Sequence, residues 1–162
     1  MAHDLPASVR SFLTELAEGW RLSALKTRHH DVSTHYRAGG STSGVIDSDE
    51  AVAAYALARL PATFAACSAA LAALAEARPD FAPRAALDLG CGPGTALVAA
   101  MTAFPFLAEV AGIDHNRHFR AFAGRLIAKS GFEAGRAVAL RPGDIGGGFE
   151  AAPADLVLSS YA

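Results

Sequence analysis

Three carboxylates and one glycine-rich turn carry most of the chemistry legible in this sequence. Asp88 lies inside the apolar run Ala85-Ala86-Leu87-Asp88-Leu89, and Gly90-Cys91-Gly92-Pro93-Gly94-Thr95 follows directly. Asp114 ends a second apolar run and precedes His115, while Asp144 follows a third run and precedes Ile145. A fourth run, Asp155-Leu156-Val157-Leu158, leads into Ser159 and Ser160. Glycine lets a backbone approach a ligand closely, because no Cβ intervenes and unusual φ/ψ values carry little penalty. The first N–H groups of a helix lack intrahelical partners, so a strand–glycine turn–helix order turns unpaired amides toward a ligand. A carboxylate ending the next strand can accept hydrogen bonds from both hydroxyls of a ribose. An acid after the third strand can meet an exocyclic amine on a base. Asp88, Gly90, Cys91, Gly92, Gly94, Thr95, Asp114, His115, Asp144, Ile145 and Ser159 therefore form the candidate binding set. For Asp88 and Asp144 a second reading stands beside this one, a carboxylate satisfied by loop amides.

The elements that must position these residues follow from periodicity. From Phe81 onward, segments of about 85–89, 107–114, 137–140 and 155–160 read as strands. Thr95 to Phe104, ended by Pro105, reads as a helix between the first two. Asn116 to Ser130 is an amphipathic helix, with Phe119, Phe122, Leu126 and Ile127 on one face and Gly131 behind it. Apolar strands alternating with helices imply a parallel sheet covered on both faces. In such a sheet a nucleotide-containing ligand binds at the carboxyl ends of the strands, at the topological switch point.

Upstream, everything reads as helix. Pro6 suits a first turn, and Val9, Phe12, Leu13 and Leu16 recur at helical spacing until Gly19. A weaker stripe runs through Trp20, Leu22 and Leu25, with His29, His30 and His35 among Arg21, Lys26, Arg28 and Arg37. The spacing of His30 and His35 is poor for one helical face, so no metal site is expected. A solvated basic face is the plain reading there, and RNA contact its functional version. Arg37 to Gly44 is a loop by composition. Asp47-Ser48-Asp49-Glu50 resembles a capping box with Asp47 as N-cap, and the helix it opens is expected to stop and restart at Pro61. The next helix runs to about Arg78, before Pro79. The pattern predicts a helical extension over 1–80 and an α/β domain over 81–162.

Composition narrows the classes. Of 162 residues 52% are hydrophobic, enough for a substantial core, and the formal charge is −2. That charge gives no bulk attraction to nucleic acid, so any RNA contact must come from a local patch. Arginine far outnumbers lysine and alanine is abundant, which reads as the coding bias of a GC-rich genome. Cys67 and Cys91 form no C-x-x-C pair, and two thiols cannot complete a four-cysteine cluster or zinc site. A reduced, cytoplasmic chain is expected. The first residues lack a signal profile, and no apolar run approaches the roughly 18–20 residues that span a bilayer, so no membrane contact is expected.

Two cofactor classes compete for the turn. The dinucleotide fingerprint G-x-G-x-x-G/A would put glycine or alanine where Thr95 stands, and the phosphate-binding P-loop would need a lysine that is absent. The run present is G-x-G-x-G, preceded by an acid in the strand. With Asp88 and Asp114 it resembles motifs one and two of class I S-adenosylmethionine-dependent methyltransferases. Tyr36-Arg37, Ala54-Tyr55-Ala56-Leu57-Ala58-Arg59-Leu60-Pro61-Ala62-Thr63 and Leu87 to Thr95 extend the likeness. Together they are similar to the signature of the methyltransferase-like family associated with the mitochondrial small ribosomal subunit, which has bacterial members. The resemblance implies a Rossmann-like α/β fold, here truncated to about four parallel strands with an N-terminal helical extension. It also implies S-adenosylmethionine as cofactor and the small ribosomal subunit or its RNA as partner. The role implied is methylation of small-subunit ribosomal RNA or, alternatively, ribosome assembly without catalysis.

The resemblance has a departure. Class I methyltransferase sheets have seven strands in the order 3-2-1-4-5-7-6, and only four can be counted before Ala162. The family's cluster-forming cysteines lie mainly in its later part. The fourth strand is therefore expected at an exposed apolar edge, covered by a second copy of the chain or by a helix. Residues bordering a transferred methyl would be Ser159, Ser160 and Tyr161, which lack the N-P-P-Y pattern of amino-methylating enzymes. Cys91 sits in the turn as a small residue, so no catalytic residue is assigned. A nicotinamide-binding Rossmann domain remains a third reading, disfavoured by Pro93 and Thr95.

Overall fold

A computed structural model of the chain describes residues 4–19 and 46–161. The expected second stripe from Trp20, the three histidines, Tyr36-Arg37 and the loop to Gly44 lie outside the described residues. Helix α1 spans Ala7–Glu18 and buries Val9 and Leu13, two positions of the predicted stripe. The Ser8 hydroxyl donates to the Ser130 carbonyl (2.8 Å), tying this helix to a segment 122 residues away.

Helix α2 spans Asp49–Ala77 and corrects three expectations. Its N-cap is Ser48, not Asp47: Ser48 is extended (φ −152, ψ 162) and its hydroxyl accepts from the Ala51 amide. Asp49 and Glu50 fall instead in the first turn, where negative charge complements the helix dipole. Pro61 lies inside the helix and does not restart it. A proline in a helix interior costs about 3 kcal/mol. Leu60 and Phe64 beside it are buried, at about 1.5–3 kcal/mol each, so packing on both sides of the proline outweighs the local rule. By length and composition, finally, α2 is long and apolar enough to cross a membrane. Alanine supplies much of that apolarity without forming an unbroken run of large side chains. In this fold Val52, Leu60, Phe64 and Leu71 of α2 belong to the core.

The sheet comprises β1 (Ala85–Leu89), β2 (Glu109–Ile113), β3 (Ala139–Arg141) and β4 (Leu156–Leu158). Helix α3 (Thr95–Ala103) joins β1 to β2, and α4 (Arg117–Ser130) with a 3-10 turn (Glu133–Ala137) joins β2 to β3. Among the described residues these four strands pair in parallel and their order is β3-β2-β1-β4, the order expected for the first four strands of a class I sheet. The chain thus has a Rossmann-like α/β fold with four parallel strands. Strands β2, β3 and β4 are shorter than their apolar runs, since pairing and not hydrophobicity sets their ends.

Register puts the candidate residues toward the carboxyl ends of the strands. Asp88 is opposite Gly112 on β2 and Leu158 on β4. The Asp155 carboxylate accepts from the amides of Arg84 (2.8 Å) and Ala85 (3.0 Å), which fixes the start of β4 against β1. Those two bonds hold the Asp155 carboxyl below the ordinary range. Beyond β4 no further strand pairs among the described residues, and Val157 on it is 56% exposed. One hydrophobic cluster runs from Val9 on α1 through Leu60 and Phe64 on α2, Leu97 and Met101 on α3, and Phe122 and Leu126 on α4 to Leu156 on β4.

Candidate cofactor-binding site

The turn after β1 is built from its glycines. Gly90, Gly92 and Gly94 all have positive φ (70°, 51° and 84°). The amides of Gly90 and Cys91 both donate to the Ile113 carbonyl at the end of β2 (2.9 and 3.0 Å), and Gly94 N–H closes the turn onto Cys91 O (2.8 Å). Gly94 is the N-cap of α3, and a Cβ there would stand 3.0 Å from Ala123 Cβ and 3.2 Å from Ile127 Cδ1. Its bareness lets the start of α3 pack on α4. Gly112 serves Cys91 similarly, since a Cβ on it would lie 2.8 Å from the thiol sulfur. The Cys91 thiol is buried and its pKa is raised, first by burial and then by the charges of Asp88 and Asp114. It stays protonated, as befits a small packing residue.

The two strand acids behave differently. Asp114, 6% exposed, accepts from Gly92 N–H on Oδ2 (2.8 Å) and from Asn116 N–H on Oδ1 (2.8 Å). It holds the middle of the glycine turn while ending β2. His115, half-exposed beside it, places Nδ1 3.9 Å from Asp114 Oδ1. Asp88 is 1% exposed, and neither of its carboxylate oxygens has a hydrogen-bond partner. Burial, and secondarily the Asp114 charge, raise its pKa to about 8. The loop-amide reading of Asp88 is thereby corrected: no amide reaches it. Thr95, the first residue of α3, likewise buries an unpartnered hydroxyl.

The remaining candidates sit around this centre. A Cβ on Gly143 would touch Ile113 Cγ2 (2.7 Å), so the loop after β3 leaves from beside the end of β2. Next in that loop, Asp144 accepts from Gly146 N–H on Oδ1 (2.9 Å), the ordinary turn chemistry of the second reading, and Ile145 is exposed. Ser159 is exposed just past β4.

Three residues of this region escaped the motif reading. Asn116 caps α4 by accepting from His118 and Phe119 amides, and its Nδ2 donates to Ile46 O (2.8 Å) just before α2. An acid-x-asparagine sequence between a strand and a helix was the available signal. Arg120 donates to the Asp114 carbonyl (2.6 Å). Cys67 on α2, far away in sequence, comes near Ser160 just past β4. Burial raises the Cys67 pKa, and the charge of Asp88 adds to the rise while Ser160 opposes it. Among the described residues no cluster of histidine, cysteine or acids is suited to a metal ion.

A parallel sheet of this order, with a glycine turn between two strand-borne acids, defines a methyltransferase-like Rossmann domain. The chain is similar to several solved structures. The plantazolicin methyltransferase BpumL in complex with SAH is 18% identical with a TM-score of 0.52, over 83% of this chain and 49% of that one. PigF with SAH is 20% identical with a TM-score of 0.49, over 83% and 42%. PH1948 of Pyrococcus horikoshii, a candidate RNA methyltransferase, is 17% identical with a TM-score of 0.44, over 57% and 41%. The chain thus spans about half the length of these proteins or less. The model of the mitochondrial small ribosomal subunit Rsm22 family matches residues 49–162, and the chain belongs to that family. No curated protein sequence matches it.

Proposed function

We propose that the chain binds S-adenosylmethionine through Asp88, the Gly90–Thr95 turn and Asp114, and that it methylates small-subunit ribosomal RNA. His115, Asp144, Ile145 and Ser159 complete the proposed site. The observation that carries the cofactor is Asp88: a buried carboxylate with both oxygens unpartnered, behind the turn, suits a ligand that brings its own positive charge and N–H donors. The unpartnered Thr95 hydroxyl adds a second polar group on the same turn. Family membership and the SAH complexes of structural neighbours support the same reading.

When bound, the cofactor supplies an electrophilic methyl on a sulfonium. The chain's own share is binding and orientation, which account for most of what such a displacement requires of a protein. Asp88 accepts from the cationic part of the ligand, and Asp114 accepts from ribose hydroxyls while keeping the Gly92 amide in place. Isothermal titration with SAH and with NAD tests the cofactor; binding of NAD alone would sink the proposal. Transfer of a labelled methyl to small-subunit RNA tests the acceptor.

One observation favours a second reading, an assembly factor that keeps the cofactor site without turnover. The groups beyond β4 are Ser159, Ser160 and Tyr161, and the Cys67 thiol against Ser160 is held in its protonated form. None is a ready general base. SAH binding without methyl transfer, by a chain that still associates with the small subunit, would select this reading.

A further inference from the structure

Charge is distributed very unevenly along this chain. Between residues 117 and 141 stand Arg117, Arg120, Arg125, Lys129, Arg136 and Arg141 against Glu133 alone, a local charge of +5. The whole chain carries −2, so the remainder carries −7. Helix α4 itself has four of these cations and no acid.

The helix sorts them by face. Phe119, Phe122, Ala123, Leu126, Ile127 and Ser130 are buried, whereas Arg117, Ala121, Arg125, Ala128 and Lys129 are exposed. At 3.6 residues per turn the three exposed cations fall within about 120° of arc and extend over about 18 Å of helix. Arg117 Nε itself donates to His118 Nε2 (3.3 Å), and two of the segment's other cations are engaged. Arg120 is turned inward onto the Asp114 carbonyl, and Arg136 pairs with Glu133 (3.2 Å). Arg125 lies 5.7 Å from the centroid of the Phe122 ring, which limits where its guanidinium can point.

We propose that the Arg117–Arg125–Lys129 face of α4 docks the phosphate backbone of single-stranded RNA. A merely solvated helix face mixes signs along its own sequence, and α4 does not; the carboxylate of Asp49 on α2 meets it only at its N-terminal end, 3.2 Å from His118 Nδ1. Only alanine separates its exposed cations, so a phosphodiester chain can approach closely. A lipid surface fits less well, because interfacial helices set large apolar side chains beside their cations, and here such side chains are all buried in the core. The docking face starts three residues after Asp114, so the strand it holds leads toward the proposed cofactor site. The proposal rests on the RNA part of the function above and not on the cofactor.

The test is fluorescence anisotropy of a labelled 20-nucleotide single-stranded RNA, titrated with the wild-type chain at several salt concentrations. It is repeated with the double variant Arg125→Gln/Lys129→Gln and with the control Arg59→Gln/Arg84→Gln, which removes equal charge from exposed positions elsewhere. Circular dichroism checks that all three are folded. The expected result is at least about fivefold weaker binding for the α4 variant, with a salt slope lower by about 1.4, that is about 0.7 per lost contact; the control stays near wild type. Equal loss in both variants would overturn the α4 face while leaving RNA as partner. Absence of wild-type binding would remove the RNA reading as well, with SAH titration unaffected. Binding to phosphatidylserine vesicles through α4, without RNA binding, would also overturn the proposal.

Discussion

Asp88 is the residue on which the site can be tested without any substrate. Its carboxyl titrates near 3.8 when unfolded and at about 8 in the fold, so the native state binds the extra proton between those values. Stability is therefore fully present below about pH 4 and falls as pH rises through the folded value. The slope is about 1.4 kcal/mol per pH unit, and from pH 5 to pH 7 the ligand-free protein should lose on the order of 2–3 kcal/mol. Asp88→Asn, similar in shape and uncharged, should flatten that dependence. Urea unfolding at both pH values measures it, and parallel losses in the two proteins would mean that Asp88 is not the titrating group. Asp114 is tested through the ligand. Its replacement by Ala should weaken SAH binding by roughly 1–3 kcal/mol, the scale of hydrogen bonds to a charged group. Because the carboxylate also holds Gly92, crystallographic or NMR inspection of the turn must accompany the calorimetry.

Among the elements, the glycine turn and the two helices it joins have the sharpest requirement. Alanine at position 94 would have to adopt φ 84° and place a Cβ 3.0 Å from Ala123 Cβ. The left-handed conformation costs about 1–2 kcal/mol and the overpacking about 1–3 more. Gly94→Ala should therefore lower the urea midpoint by an amount equivalent to roughly 2–5 kcal/mol; a loss under 1 kcal/mol would mean that α3 and α4 are less tightly apposed than described. This turn was legible from sequence because its glycines and flanking acids are neighbours along the chain. Strand order was legible too, through the motif and the alternation of periods. Helix α2 was not, because the proline rule is local while the burial of Leu60 and Phe64 is tertiary. The choice between Asp47 and Ser48 as cap turned on one residue of register. Contacts such as Asn116 to Ile46 and Ser160 to Cys67 had no sequence signal at all, since only the return of β4 beside β1 and the packing of α2 bring them together.

At the scale of the whole molecule, the change near residue 80 from helices to strand–helix alternation is a boundary of pattern, and the core crosses it. Val52, Leu60, Phe64 and Leu71 of α2 join the same cluster as Leu97 and Met101 of α3 and Leu156 of β4. Burying these four side chains contributes on the order of 6–12 kcal/mol, at about 1.5–3 each. A domain of this size has a net stability of about 5–15 kcal/mol in total. Residues 81–162 alone would thus lose an amount comparable to everything that holds them folded, while exposing the inner face of α3. The chain should unfold in one transition, with far-ultraviolet and near-ultraviolet circular dichroism tracing the same urea curve. The fragment 81–162 should show no cooperative transition and no SAH binding, although it contains every residue of the candidate site. A fragment that unfolds cooperatively and binds SAH would show instead that the helical part is an accessory, and that α2 covers a core already sufficient without it.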